Sequence, residues 1–130
     1  MDSILQSIKK LLGLDENYDA FDDDVMMHIN SVLMILTQLG VGPKNGFSIT
    51  GEEETWGDYL GEDISKLSAV KTYVYLKVKT MFDPTSSSVV NEATKEMLKE
   101  LEWRLNSEIE YKEEQICRRL TIWPIGAYGG

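Results

Sequence analysis

An acidic run near the N-terminus contains the residues best suited to metal chemistry. Asp15, Asn17 and Asp19 alternate like the first ligands of a calcium-binding loop. Such a loop needs glycine at its sixth position and a bidentate glutamate at its twelfth, where this sequence has Ala20 and Met26. The run therefore does not predict a calcium site.

Candidate catalytic groups are few. The single histidine, His28, follows Asp24 by four residues, a spacing typical of an ordinary pair on a helix surface. The single cysteine, Cys117, is typical of a reducing compartment and is best interpreted as a small buried apolar residue. The sequence also lacks the phosphate-binding motifs GxGxxG and GxxxxGK[ST]. We therefore predict no enzyme, no catalytic residue, no cofactor and no metal.

The charge and length of the chain limit the classes of protein to which it can belong. The formal net charge of -9 argues against a surface that grips phosphates, although DNA can pass an acidic surface without adhering to it. A chain of 130 residues, 42% of them hydrophobic, fits one domain with its own core. We expect a cytosolic protein, because no apolar run approaches the ~20 residues of a membrane span and the N-terminus does not resemble a secretion signal.

Apolar periodicity predicts an all-α fold with a long structured loop over residues 41–64. Gly13 and Gly40 stand where the first two helices should end. Within the loop, Phe47–Thr50 is predicted as a short strand and Thr55–Leu60 as one helical turn. The four helices are expected at roughly residues 2–12, 22–39, 65–82 and 88–114.

The third helix has an alternative interpretation. From Val70 to Lys79 apolar and polar residues alternate, as in a strand with one buried face. The segment 65–82 is much longer than a typical strand of about 5 or 6 residues, which favours a helix. Pro84 should end this helix near Phe82. The serines that follow can cap the next helix, with Glu92 near the reciprocal capping-box position.

The last predicted helix has an apolar stripe and one aromatic residue away from it. At 1.5 Å per residue the helix would be roughly 39 Å long, more than the domain is expected to cover. Trp103 lies nearly opposite the stripe, so it is either an interface anchor or is covered by the 41–65 loop. The predicted stripe is Val90, Ala93, Met97, Leu101, Leu105 and Ile109.

The C-terminal residues 116–130 are predicted to form an extended arm beyond a helical domain of residues 1–115. Pro124 opposes helix there, and the neighbouring residues are apolar. Such an arm can lie on its own domain, dock on a partner or remain disordered. We favour docking on a partner, because apolar tails left in water promote aggregation.

Three stretches in fixed order carry a family resemblance. They are LLGLDENYDAFDDDV, ETWGDYLG, and VKTYVYLKVKTMFDPTSSSVVNEA followed by ELEWRLN. Together they resemble the head-tail connector proteins of tailed phages and prophages, also called adaptor or head-completion proteins. The third stretch is the most specific and supports helix for residues 65–82. The tail from Ile116 onward is longer and more apolar than the family pattern.

The resemblance implies a structural virion protein at the head-tail interface, assembled in the host cytoplasm. Such proteins dock on the portal and form a ring, commonly of twelve copies, that continues the DNA channel toward the stopper and tail. DNA would pass through without specific binding. The Phe82-Asp83-Pro84 corner would then set the angle at which the last helix meets its partners. The alternative is a small acidic helical binding or regulatory module that forms no ring.

The candidate protein-interface residues come from the loop, the corner, the last helix and the arm. They are Trp56, Phe82, Asp83, Pro84, Trp103, Arg104, Ile122, Trp123, Pro124, Ile125 and Tyr128.

Overall fold

The computed structural model of the chain describes residues 2–120, with side chains through residue 106. This part of the chain is all-α and contains no strand, so the predicted fold class and all four predicted helices are confirmed. A 3-10 helix, Gly61–Lys66, leads directly into α4. The α-helices are α1 (Ile4–Leu11), α2 (Asp22–Gln38), α3 (Trp56–Leu60), α4 (Leu67–Phe82) and α5 (Ser88–Leu120).

The three long helices lie in a row with α4 in the middle. Helix α4 packs against α2 on one side and α5 on the other, and α1 packs against both α2 and α4. Because α4 is covered on both sides, its residues Val70, Tyr73, Val74 and Val78 are fully buried. Helix α2 contributes a second large set of buried side chains, namely Val25, Ile29, Val32, Leu33 and Leu36.

The ends of the first two helices follow the predicted signals. Ser3 caps α1 by accepting a hydrogen bond from the Gln6 N–H with its hydroxyl. Gly13 and Gly40 both have positive φ, at 83° and 91°. At Gly40 the chain reverses so that the Val41 N–H donates to the Leu36 carbonyl at 2.8 Å. This hydrogen bond satisfies a helix-end carbonyl, and the left-handed turn it needs favours glycine.

A fully buried lysine connects α1 to the start of α2. Lys9 has no exposed surface, and its Nζ lies 2.8 Å from a carboxylate oxygen of Asp22. The same Nζ donates to the Glu16 carbonyl at 3.2 Å. Lysine is rarely buried without such partners, because an isolated ammonium is strongly destabilised away from water. These contacts fix the acidic 12–21 connector against the helical core.

The predicted strand at Phe47–Thr50 is wrong. The Ile49 N–H donates to the Asn30 side-chain oxygen at 2.7 Å, and the Asn30 amide donates back to the Ile49 carbonyl at 3.0 Å. One side chain on α2 thus satisfies both backbone groups that a partner strand would otherwise bind. Ile49 is thereby held in the core without a sheet.

The predicted turn at Thr55–Leu60 is confirmed as α3. Thr55 accepts from the Asp58 N–H, and the Asp58 side chain accepts from the Thr55 N–H, which completes a capping box. Trp56 follows this cap and packs into the core.

The last helix extends beyond its predicted end near residue 114. Helix α5 continues through Leu120, since the sequence ICRRL contains neither glycine nor proline to stop it. Residues 121–130, which include the arm candidates Ile122, Trp123, Pro124, Ile125 and Tyr128, lie outside the described residues.

The buried lysine gives a direct stability prediction. Lys9→Met should lower the free energy of unfolding by about 2 kcal/mol, because the Glu16 carbonyl and the Asp22 carboxylate both lose their charged partner. Urea denaturation measures this change, and the exposed neighbour substitution Lys10→Met is the matched control. Equal stability of the two variants would contradict the structural role assigned to Lys9.

Candidate assembly surface

The corner between α4 and α5 is anchored to the start of α2 by aromatic rings. The Phe82 ring packs edge-on against Phe21 at 5.4 Å between centroids, and Phe21 packs against Tyr18 at 5.7 Å. Asp83 and Pro84 are exposed beyond this cluster, with Asp83 lying 3.9 Å from Lys79. As predicted, α4 ends at Phe82, and the corner presents Asp83 and Pro84 to solvent.

Ser87 caps the start of α5, but the expected reciprocal cap does not form. The Ser87 hydroxyl accepts from the Val90 N–H at 3.3 Å, so the capping-box position falls on Val90 rather than on Glu92. Glu92 instead lies 3.7 Å from Lys95. The Asn91 amide donates to the Thr85 carbonyl, which ties the first turn of α5 to the corner.

A hydrogen bond at the α4–α5 contact fixes the rotation of α5. The buried Tyr73 hydroxyl donates to a carboxylate oxygen of Glu102 at 2.6 Å. Lys77 lies 3.9 Å from the same oxygen and 5.9 Å from the centre of the Tyr73 ring. Burial and the Glu102 carboxylate both raise the pKa of Tyr73 above its ordinary value. Glu102 therefore faces α4.

The predicted apolar stripe on α5 is only partly correct. Leu105 is buried and Leu101 is partly buried, as expected, but Val90 and Met97 are exposed. Leu98 takes their place in the core. The buried face is rotated by roughly 60° from the predicted one, because Glu102 and Leu98 lie on the same side as Leu105. Ile109 belongs to the part of α5 whose side chains are not described.

Trp103 lies on the outer side of α5, as predicted. Its side chain is 69% exposed, so the 41–65 loop does not cover it. Arg104 is also exposed and donates to Glu100 at 2.7 Å on the preceding turn. We call the exposed residues Lys99 and Trp103 the tryptophan ridge.

A second exposed apolar surface lies on α2 and was missed by the sequence analysis. Met26, Asn30 and Met34 line an open groove of about 530 Å³, bordered by Asp23 at one end and by Ile49 and Thr50 on the side. Met27 and Met34 are 59% and 60% exposed. Their spacing of seven residues, away from the buried positions of α2, was the available signal. We call this surface the methionine groove.

The predicted interface residue Trp56 is instead a core residue. It is 1% exposed, and its indole N–H donates to the Ser7 hydroxyl at 3.1 Å. An indole enclosed by its own chain has no surface to offer a partner. Phe82, Asp83 and Pro84 lie together at one end of α5, and Trp103 and Arg104 lie farther along it, so the structure keeps these two groups apart.

Metal-binding and membrane-spanning features were also sought. Among the described side chains, no group of His, Cys, Asp and Glu residues is arranged to hold a metal ion. None of the helices in the described part of the chain is both long and apolar enough to cross a membrane.

Comparison with known proteins identifies one family. The family model described as phage connector protein matches residues 4–112. The match begins at the first residue of α1 and extends through α4 into α5. It includes all three stretches that carried the resemblance in the sequence. No curated protein and no solved structure matches the chain.

Two buried tyrosines predict a loss of stability at alkaline pH. Burial raises the pKa of both Tyr59 and Tyr73 above the ordinary 10.0, so the folded state holds the phenolic protons more tightly than the unfolded state does. The two protonated phenols therefore add to the free energy of unfolding. Their contribution is fully present below about pH 10 and is lost as the pH rises beyond it. The melting temperature should therefore fall above that pH.

The double variant Tyr59→Phe/Tyr73→Phe tests this source of alkaline sensitivity. Its melting temperature should decline less steeply than that of the wild type, whereas the exposed substitution Tyr18→Phe should leave the slope unchanged. If the melting temperature of the double variant falls with pH as steeply as that of the wild type, other groups cause the loss of stability at alkaline pH.

Proposed function

We propose a structural role at the head-tail junction of the virion for this chain, which belongs to the phage connector protein family. The subunit docks on the portal and forms a homo-oligomeric ring of twelve copies that continues the DNA channel toward the stopper or tail-completion protein. The observation that carries this proposal is the family match over residues 4–112, which spans the packed helical domain. No reaction is part of the proposed role.

The charge of the chain supports a channel through which DNA passes. A net charge of -9 disfavours adhesion to phosphates, so DNA would move past the ring without specific binding. Helix α2 contributes Asp22, Asp23 and Asp24 at its start and contains no lysine or arginine.

The composition of the C-terminal arm supports docking on a partner. Ile122, Trp123 and Ile125 are apolar, and Pro124 among them opposes a helix. An apolar segment left in water promotes aggregation, whereas an extended segment can bind the surface of a neighbour through main-chain hydrogen bonds. The arm therefore binds the portal or a neighbouring subunit.

The alternative role is an acidic helical binding or regulatory module without ring assembly. The exposed Trp103 and the methionine groove would suit such a module as well. The number of copies in each complex distinguishes the two roles. A regulator binds its target in one or a few copies, whereas a connector binds in a number set by the symmetry of the portal.

Co-purification with the portal encoded by the same phage or prophage tests the proposed function. We expect the two proteins to purify together, with negative-stain images showing a ring that extends the narrow end of the portal. Images of the chain alone would show whether assembly requires the portal as a template. A folded portal that never retains the folded chain would contradict the connector role and favour the regulatory module.

Deletion of Ile122–Gly130 tests the role of the arm. The shortened chain should keep the wild-type melting temperature, because its packed helices are retained, and should bind the portal more weakly. Thermal melting and portal co-purification measure the two effects. A large drop in melting temperature would instead show that the arm packs on its own domain.

A further inference from the structure

The two exposed apolar surfaces lie on different helices of the subunit. Helix α4 packs against both α2, which carries the methionine groove, and α5, which carries the tryptophan ridge. The methionine groove is a shallow, open surface, and Trp103 projects from its helix with most of its surface exposed. One subunit therefore presents two different apolar faces.

Hydrogen bonds hold part of the methionine groove in place. Asn30 lines the groove, and both ends of the Asn30 amide are held by the backbone of Ile49. A second depression of about 430 Å³ continues the groove past Met34 toward Phe47 and Lys44. Flexible thioether side chains suit an aromatic ring, because sulfur makes favourable contacts with aromatic edges.

The tryptophan ridge is also held in place. Glu102, next to Trp103, binds Tyr73 at 2.6 Å, and Leu105 is buried two residues later. Arg104 and Glu100 are already paired with each other. Lys99 is exposed one turn before Trp103, and no described residue forms an ion pair with it.

We propose that the tryptophan ridge of one copy binds the methionine groove of the next copy. Trp103 contacts Met27 and Met34, and Lys99 pairs with Asp23 of that neighbour. Asp23 precedes Met27 by four residues, and Lys99 precedes Trp103 by the same number, so each pair spans about 6 Å along its helix. Two parallel helices can therefore make the apolar contact and the ion pair together.

This pairing is head-to-tail, because each copy uses a different face toward each neighbour. Contacts of this type close into rings when the rotation between copies permits it, whereas a contact of one face with itself gives only a dimer. The inference deepens the proposed function, since it assigns the subunit contact on which the ring depends.

Charge reversal tests the proposed ion pair. Asp23→Lys and Lys99→Asp should each weaken self-association by roughly tenfold, and the double variant should recover it. Sedimentation velocity over a concentration series measures the change. Asp24→Lys is the matched control, because Asp24 has the same charge and helix-end position but does not line the groove. Failure of the double variant to recover association would overturn the pairing.

Mixing a variant that lacks the tryptophan ridge with a variant that lacks the methionine groove tests the head-to-tail arrangement. Trp103→Ala removes the ridge, and Met27→Asp/Met34→Asp disrupts the groove, while each variant keeps the other face intact. We expect each variant alone to be monomeric and their mixture to form a 1:1 dimer. A homodimer of either variant, or a mixture that stays monomeric at a concentration where the wild type associates, would overturn the inference.

Cross-linking on the portal separates failure of this inference from failure of the connector role. In a Cys117→Ser background, chains carrying Ser31→Cys beside the groove and Asn106→Cys beside the ridge keep Met27, Met34 and Trp103, and should be joined between neighbouring copies by a short bis-maleimide. A portal-bound ring in which these positions do not cross-link would overturn the inference and leave the connector role intact. If the portal retains no chain, the connector role fails, and the mixing experiment still decides the subunit contact.

Discussion

The burial of α4 on both sides is the constraint on which the rest of the structure depends. Val70, Val74 and Val78 have no exposed surface, and covering them requires α2 and α5 to flank α4. Among the described residues, α2 and α5 cover the two sides of α4, and part of the outer face of each stays exposed. The exposed methionines of α2 and the exposed indole of α5 follow from this arrangement.

Polar contacts then fix how the outer helices are presented. The Tyr73–Glu102 hydrogen bond sets the rotation of α5, and the Asn30–Ile49 pair holds the loop that borders the methionine groove. Lys9 holds the connector before α2 through Asp22 and Glu16. These three contacts hold the segments that carry or border the exposed surfaces in place.

Apolar periodicity was sufficient to predict α2, because its buried residues recur at helical spacing and glycine marks its end. For α4 the pattern also fitted a strand, and the length of the segment decided for a helix. Periodicity failed on α5, where the Tyr73–Glu102 hydrogen bond turns the helix away from the most hydrophobic stripe. It also missed Lys9 and the Asn30 contact, since both depend on partners remote in sequence or on backbone groups. The sequence alone could not show which of Trp56 and Trp103 is buried. The fold shows that Trp56 lies in the core and that the Trp103 indole is exposed.

The chain belongs to the phage connector protein family, and it exposes apolar side chains on both α2 and α5. We infer that the subunit joins a ring through these two different faces, and hydroxyl-radical footprinting of the portal-bound and free chain tests this inference most directly. Methionine and tryptophan report well because both side chains oxidise readily. We expect Met27, Met34 and Trp103 all to become protected in the complex. Oxidation of all three at the rate seen in the free chain would contradict it.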